Sequence, residues 1–121
     1  MDKVLKELLE APGISGCEEV VAEIMKRELS KSCDEVKIDK FGNVIARKGK
    51  GGKKIMIAAH MDEIGFAVKH VTKEGFIYFI KVGGIADMVI PAQRVIIKAK
   101  KGDGYGEPTG CLVDYQGRGR R

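Results

Sequence analysis

Residues 54–63 read Lys54-Ile55-Met56-Ile57-Ala58-Ala59-His60-Met61-Asp62-Glu63, and this stretch decides the predicted fold. Its first part, residues 55–59, is apolar on both faces of an extended chain. That pattern is typical of a strand buried on both sides, in the middle of a sheet covered by helices. Polar side chains follow only at the carboxyl end, which is where open α/β sheets bind their ligands. The stretch therefore predicts an α/β fold with a candidate site just after the strand.

His60 and Asp62 form this candidate site. Residues two apart in an extended chain point to the same side, so both side chains face one crevice while Met61 turns toward the core. An imidazole can bind a divalent metal, and a nearby carboxylate can hold its second ring nitrogen and fix the tautomer. An exposed histidine beside an aspartate, without any metal, remains the alternative at this point. His70 lies within a predicted hairpin strand, and no ligand role is predicted for it.

Upstream of this stretch, the pattern predicts two helices followed by a β-hairpin. Apolar residues at helical spacing stop at residues 12–13, and a second apolar stripe runs to about Ser30. Before the second helix, Ser15 and Glu18 fit a capping box, in which the serine accepts from first-turn amides and the glutamate reaches back. The period then changes to two across residues 36–47, which predicts two strands around a turn.

Downstream of this stretch, the sequence is β-rich and has no helical pattern. Three segments rich in β-branched and aromatic residues predict strands at residues 66–71, 76–82 and 94–99. The change of pattern predicts a domain boundary between residues 65 and 68. From about Gly102 onward Gly, Pro and charged residues dominate, so no regular element is predicted there.

The composition indicates a globular chain of one ordinary domain or parts of two small ones. Of its 121 residues, 44% are hydrophobic and 32% are charged. Abundant Lys and Glu with few uncharged amides is typical of hyperthermophilic proteins, which predicts a thermophilic source. No apolar run approaches the length of a membrane span, and residues 1–3 begin an amphipathic helix rather than a signal peptide. A cytoplasmic location without a membrane partner is expected.

The cysteines and the basic tail point to no separate function. Cys17, Cys33 and Cys111 are odd in number, widely spaced and lack a C-x-x-C pair, which favours reduced thiols over a zinc knuckle or disulfides. Residues 98–121 hold six basic and three acidic groups and so carry +3 of the formal net charge of +5. Apart from Tyr115 the Gly/Arg-rich end has no interleaved aromatic residue, so an unstructured tail is favoured over nucleic-acid binding.

Several segments resemble the TET-type, glutamyl-aminopeptidase-like metallopeptidases. Residues 55–66 resemble that family's first metal-site motif. Residues 83–87 followed by residues 91–95 are similar to the segment that marks its β-rich second domain. Residues 8–16 and 39–44 also match, and the resemblance covers residues 3–106 in order and with compatible spacing.

The resemblance implies an α/β metallopeptidase catalytic domain with a PDZ-like, all-β dimerisation domain inserted into it. This chain would hold a partial catalytic domain (residues 1–66), a partial PDZ-like domain (residues 67–106) and a basic tail unlike the family (residues 107–121). Members of the family are hydrolases that remove N-terminal residues from peptides with two divalent metals, commonly zinc or cobalt. His60 matches the ligand to one metal, and Asp62 matches the carboxylate that orients it.

The family's other metal ligands and its Glu general base lie downstream of the matched region. The resemblance thus implies at most one partial metal site here, in a truncated aminopeptidase that is inactive as this chain alone. A match ending at Gly106 favours a shifted reading frame or a truncated gene over a deliberately small paralogue. The alternative is a non-catalytic association module that forms a homo-oligomer through its β segment. A small basic nucleic-acid-binding β protein is a third interpretation, which rests only on the tail.

Overall fold

The computed structural model describes residues 2–99, 103–109 and 112–116. Helices and strands are mixed, and the chain divides into two units, residues 1–63 and residues 64–121. The change of sequence pattern predicts a boundary between residues 65 and 68, and the observed division falls just before that stretch.

Two amphipathic helices, α1 (Lys3–Glu10) and α2 (Glu19–Leu29), confirm the helical prediction for the first unit. Asp2 caps α1, because its Oδ1 accepts the backbone N–H two residues further on at 2.7 Å. Arg27 joins the helices through two parallel contacts with Glu7, Nη1–Oε1 at 2.9 Å and Nη2–Oε2 at 2.6 Å. Among the described residues, no helix has the length and apolar character needed to cross a membrane.

A β-hairpin follows the helices, as the period-two pattern predicts. Strands β1 (Glu35–Ile38) and β2 (Val44–Arg47) pair antiparallel. Helix α2 packs against both strands and buries Val21, Ala22 and Ile24. This helix-on-hairpin contact is the core of the first unit, since those three side chains are its buried apolar residues among the described ones.

The doubly buried strand predicted at residues 55–59 is not formed. Residues 53–62 have no regular secondary structure, and Ile55, Met56 and Ile57 are 90%, 89% and 95% exposed. A strand needs hydrogen-bonded neighbours, and no described part of the chain forms a ladder with this segment. The prediction was wrong because an apolar pattern is buried only where other elements cover it, and the described residues provide none that do.

The second unit is a five-stranded antiparallel sheet in the order β3-β4-β7-β6-β5. Its strands are β3 (Gly65–Val71), β4 (Phe76–Val82), β5 (Val95–Ile97), β6 (Gly104–Thr109) and β7 (Leu112–Gln116). The three predicted strands correspond to β3, β4 and β5 and are confirmed. Between β4 and β5 the chain makes a short 3-10 helix, Asp87–Val89, and Ile77 and Ile90 are buried.

Strands β6 and β7 lie where the sequence predicts no regular element. β7 is the central strand of the sheet and pairs with β4 on one side and β6 on the other. The prediction that no regular element follows about Gly102 is therefore wrong for residues 104–109 and 112–116. The sequence pattern of β6 does not indicate a strand, because glycine and proline are unfavourable in strands and β6 contains Gly104, Gly106 and Pro108. Residues 117–121, with the Gly/Arg-rich end, lie outside the described residues.

Candidate metal site

A short parallel contact joins residues 13–15 to residues 62–63 within the first unit. The backbone N–H of Glu63 donates to the carbonyl of Gly13 at 2.8 Å, and Ile14 and Glu63 form an isolated parallel bridge. The N–H of Gly13 in turn donates to Oε1 of Glu63 at 3.2 Å. The contact places the loop between α1 and α2 beside the end of the apolar stretch.

Gly13 makes this close approach feasible. A Cβ atom at this position would lie 2.7 Å from Cγ2 of Val21 and 3.7 Å from the carbonyl oxygen of Met61. The first distance is well inside van der Waals contact, and Val21 is itself buried in the core of the unit. A residue without a side chain is therefore required where the loop passes between the helix and the candidate site.

The structure brings His60 and Asp62 into contact, although they do not lie in a strand. Nδ1 of His60 is 3.0 Å from Oδ1 of Asp62 and 3.1 Å from its main-chain oxygen. Both partners are acceptors when the carboxyl group is ionised, so Nδ1 carries the proton and donates. Neutral His60 then has its lone pair on Nε2, the form in which an imidazole binds a metal. The His60 side chain is 86% exposed.

Asp62 has a second partner that sequence reasoning missed. The hydroxyl of Ser15 donates to Oδ2 of Asp62. This hydrogen bond is the main cause that lowers the pKa of Asp62; desolvation opposes it, and the hydrogen bond to His60 lowers the pKa further. The carboxylate is therefore held in its ionised form between a hydroxyl and an imidazole.

The capping box predicted at Ser15 and Glu18 is wrong. Ser15 donates to Asp62, and α2 begins after Glu18 without any side-chain cap. Oε1 of Glu18 accepts from the N–H of Gly16 at 2.8 Å instead, which closes the turn that presents Ser15. The local pattern could not reveal this, because the partner of the serine is 47 residues away along the chain.

The described residues fit one metal ligand but do not complete a metal site. Among them, no group of three His, Cys, Asp or Glu side chains could hold a metal ion, and protein metal sites use three or four such ligands. Cys17 and Cys33 are free thiols, and Cys111 lies outside the described residues. His70 lies in β3, with its ring 6.2 Å from that of Tyr78.

A histidine held at Nδ1 by a carboxylate, with its side chain exposed, is an arrangement that metalloproteins use for one metal ligand. The chain belongs to the M42 glutamyl aminopeptidase family, whose profile matches residues 42–111. This match includes the candidate site and extends five residues past Gly106, where the resemblance was expected to end.

Similar proteins support this assignment in sequence and in structure. The lysyl aminopeptidase of Pyrococcus furiosus is 39% identical over 105 residues, which are 86% of this chain and 30% of that protein. A TET aminopeptidase from a marine sediment archaeon, Thaumarchaeota archaeon SCGC AB-539-E09, superposes with a TM-score of 0.81 at 39% identity, covering 87% of this chain and 30% of its own.

A third similar protein is known from an assembled form. The TET1 peptidase of Pyrococcus horikoshii, which can assemble into a tetrahedron or a large octahedral shell, gives a TM-score of 0.77 at 39% identity. The match covers 88% of this chain and 33% of that one. The chain thus spans about a third of the length of these relatives.

Proposed function

We propose that this chain supplies His60 as one ligand to a divalent metal in an M42 aminopeptidase, which removes N-terminal residues from peptides. The observation that carries the proposal is the geometry of the ring. Nδ1 is held by Asp62 at 3.0 Å, so Nε2 is the nitrogen that is free to bind. The exposure of the His60 side chain leaves Nε2 accessible to a metal and to further ligands. In the family the metals are two, commonly zinc or cobalt, and a divalent metal so bound activates water for attack on a carbonyl.

We also propose that this chain alone does not hydrolyse peptides. The described residues offer one histidine with one orienting carboxylate, and no group of three ligands. Removing groups that act together in catalysis costs many orders of magnitude in rate. Aminoacyl chromogenic substrates with added zinc or cobalt test this. A chelator-sensitive rate within about a hundredfold of ordinary enzyme turnover would contradict the proposal.

A calorimetric zinc titration tests the ligand assignment. Wild type should bind zinc weakly, since one ligand does not close a site, and His60→Ala should abolish that binding. The matched control is His70→Ala, the other of the two histidines in the sequence, which should bind as wild type does. Binding that survives His60→Ala would assign the metal elsewhere, with His70, Cys17 and Cys33 the next candidates.

The second candidate function is a non-catalytic association module that forms a homo-oligomer. It is favoured by the exposed apolar side chains at residues 55–57 and by the assembly of the Pyrococcus horikoshii relative. The sheet of the second unit would correspond to the PDZ-like dimerisation domain that the resemblance implies. Self-association of the chain, together with zinc binding that is unchanged in His60→Ala, would favour this module over the enzyme.

A further inference from the structure

We propose that Ser15 is a positioning residue for the metal ligand: its hydroxyl orients Asp62, and Asp62 in turn holds the His60 ring with Nε2 free to bind a divalent metal. The inference rests on the proposed role of His60. It assigns a function to a serine that the local sequence pattern marks only as a helix cap.

Ser15 is positioned by the turn in which it lies. Residues 14–17 form a tight turn, in which the N–H of Cys17 donates to the carbonyl of Ile14 at 2.8 Å. Gly16 adopts a φ of 88°, and its N–H donates to Glu18. The turn is anchored by the two hydrogen bonds between Gly13 and Glu63, at 2.8 and 3.2 Å. Ser15 is thus held beside Asp62 by contacts other than its own.

Both oxygens of the Asp62 carboxylate accept a hydrogen bond, each from a different partner. Oδ2 accepts the Ser15 hydroxyl, and Oδ1 accepts the Nδ1–H of His60 at 3.0 Å. A carboxylate bonded through one oxygen alone can rotate about its side-chain torsions, which are broad. Bonded through both oxygens, it has one orientation, and Oδ1 faces the imidazole.

The orientation of Asp62 affects the imidazole of His60. His60 is largely exposed, so its tautomer and its ring orientation are set by Asp62, whose Oδ1 and main-chain oxygen lie 3.0 and 3.1 Å from Nδ1. Ser15 acts on the first of these two contacts, because it holds the carboxylate. Groups that orient a metal-binding histidine in this way affect metal affinity by about 10- to 100-fold. Ser15 is one hydrogen bond further from the metal than Asp62 is. We therefore expect the loss of its hydroxyl to weaken zinc binding by a smaller factor, about three- to tenfold.

Nitrogen NMR of the histidine rings tests the inference without any metal. The chain has two histidines, so the spectrum of His70→Ala identifies the His60 signals. In wild type, the shifts of the two His60 nitrogens should report the tautomer protonated at Nδ1. Ser15→Ala should raise the fraction of the tautomer protonated at Nε2 and weaken zinc binding, whereas Ser15→Thr, which keeps the hydroxyl, should retain the wild-type tautomer and affinity.

Ser30→Ala is the matched control, because the Ser30 hydroxyl donates to the carbonyl of Lys26 at the end of α2, at 2.7 Å. Ser30→Ala should leave both the His60 tautomer and the zinc affinity unchanged. A wild-type tautomer in folded Ser15→Ala would overturn the inference, as would a Ser15→Thr variant that behaves like Ser15→Ala. If His60→Ala loses zinc binding but the His60 tautomer is the same in wild type and Ser15→Ala, this inference is refuted and the proposed function is not. Zinc binding that is unchanged in His60→Ala would refute the proposed function itself.

Discussion

Gly13 has little room for a side chain. An added methyl group would lie 2.7 Å from Cγ2 of the buried Val21. Gly13→Ala should therefore destabilise the first unit by about 1–3 kcal/mol, the usual cost of overpacking. Urea denaturation measures the change. Gly84→Ala is the control, since a Cβ there meets nothing within 4 Å; equal stability of the two variants would contradict the prediction.

The ion pair between Glu7 and Arg27 gives the first unit a dependence on pH. The hydrogen bond from Arg27 is the main cause that lowers the pKa of Glu7 below its ordinary 4.5. A carboxyl group with a lowered pKa stabilises the fold above its ordinary pKa, and that stability is lost as the pH falls through the lowered value. Glu7→Gln should therefore be less stable than wild type at pH 7, and the difference should vanish in acid.

Denaturation at a series of pH values below 7 tests this dependence. The same Glu7→Gln change in an Arg27→Met background is the control, because the guanidinium that lowers the pKa is then absent. A pH dependence that is identical in both backgrounds would show that Arg27 is not its cause.

At the residue scale, the sequence predicts two members of the hydrogen-bonded trio Ser15–Asp62–His60, namely His60 and Asp62. The two-residue spacing of His60 and Asp62 suffices to place their side chains together, and they meet at 3.0 Å. Ser15 could not be found in the same way. Its pattern with Glu18 fits a local capping box, and only the long-range bridge between Ile14 and Glu63 brings the serine to Asp62.

At the scale of elements, the segment at residues 53–60 has no regular structure and is exposed throughout. Ile57 is 95% exposed, whereas Ile77 in β4 is 5% exposed. Ile57→Lys should change the stability of the chain by less than about 0.5 kcal/mol and should reduce self-association, since it places a charge in an exposed apolar run.

Ile77→Lys is the matched control for that substitution. It places the same charge at a buried position and should cost about 3 kcal/mol or more. Thermal denaturation and light scattering of both variants measure the two effects. Strong destabilisation by Ile57→Lys would show that residues 55–57 are packed in solution.

Regular elements were predictable where their own periodicity is clear. The amphipathic stripes of α1 and α2 and the alternation in β1 and β2 are properties of each segment alone. β6 and β7 are strands because of their partners. Pro108 is tolerated in β6 because β5 pairs only with residues 104–106, so at the proline β6 has a single paired neighbour, β7.

At the scale of the whole molecule, we expect the chain to self-associate. The exposed apolar residues at 55–57 form no ladder with any described part of the chain, and such segments recruit other chains. Light scattering at several concentrations should give masses above that of one chain, which is 13.2 kDa. A single species of that mass, with a thermal transition independent of concentration, would contradict the expectation.

The binding mode that we propose for His60 is a divalent metal on Nε2 while Asp62 holds Nδ1. Nitrogen NMR of the wild-type chain during a zinc titration tests it most directly, because the technique observes each ring nitrogen separately. We expect the Nε2 signal of His60 to shift with added zinc, its Nδ1 to keep the shift of a protonated nitrogen, and His70 not to respond. A response at Nδ1 of His60, or at His70 instead, would contradict this binding mode.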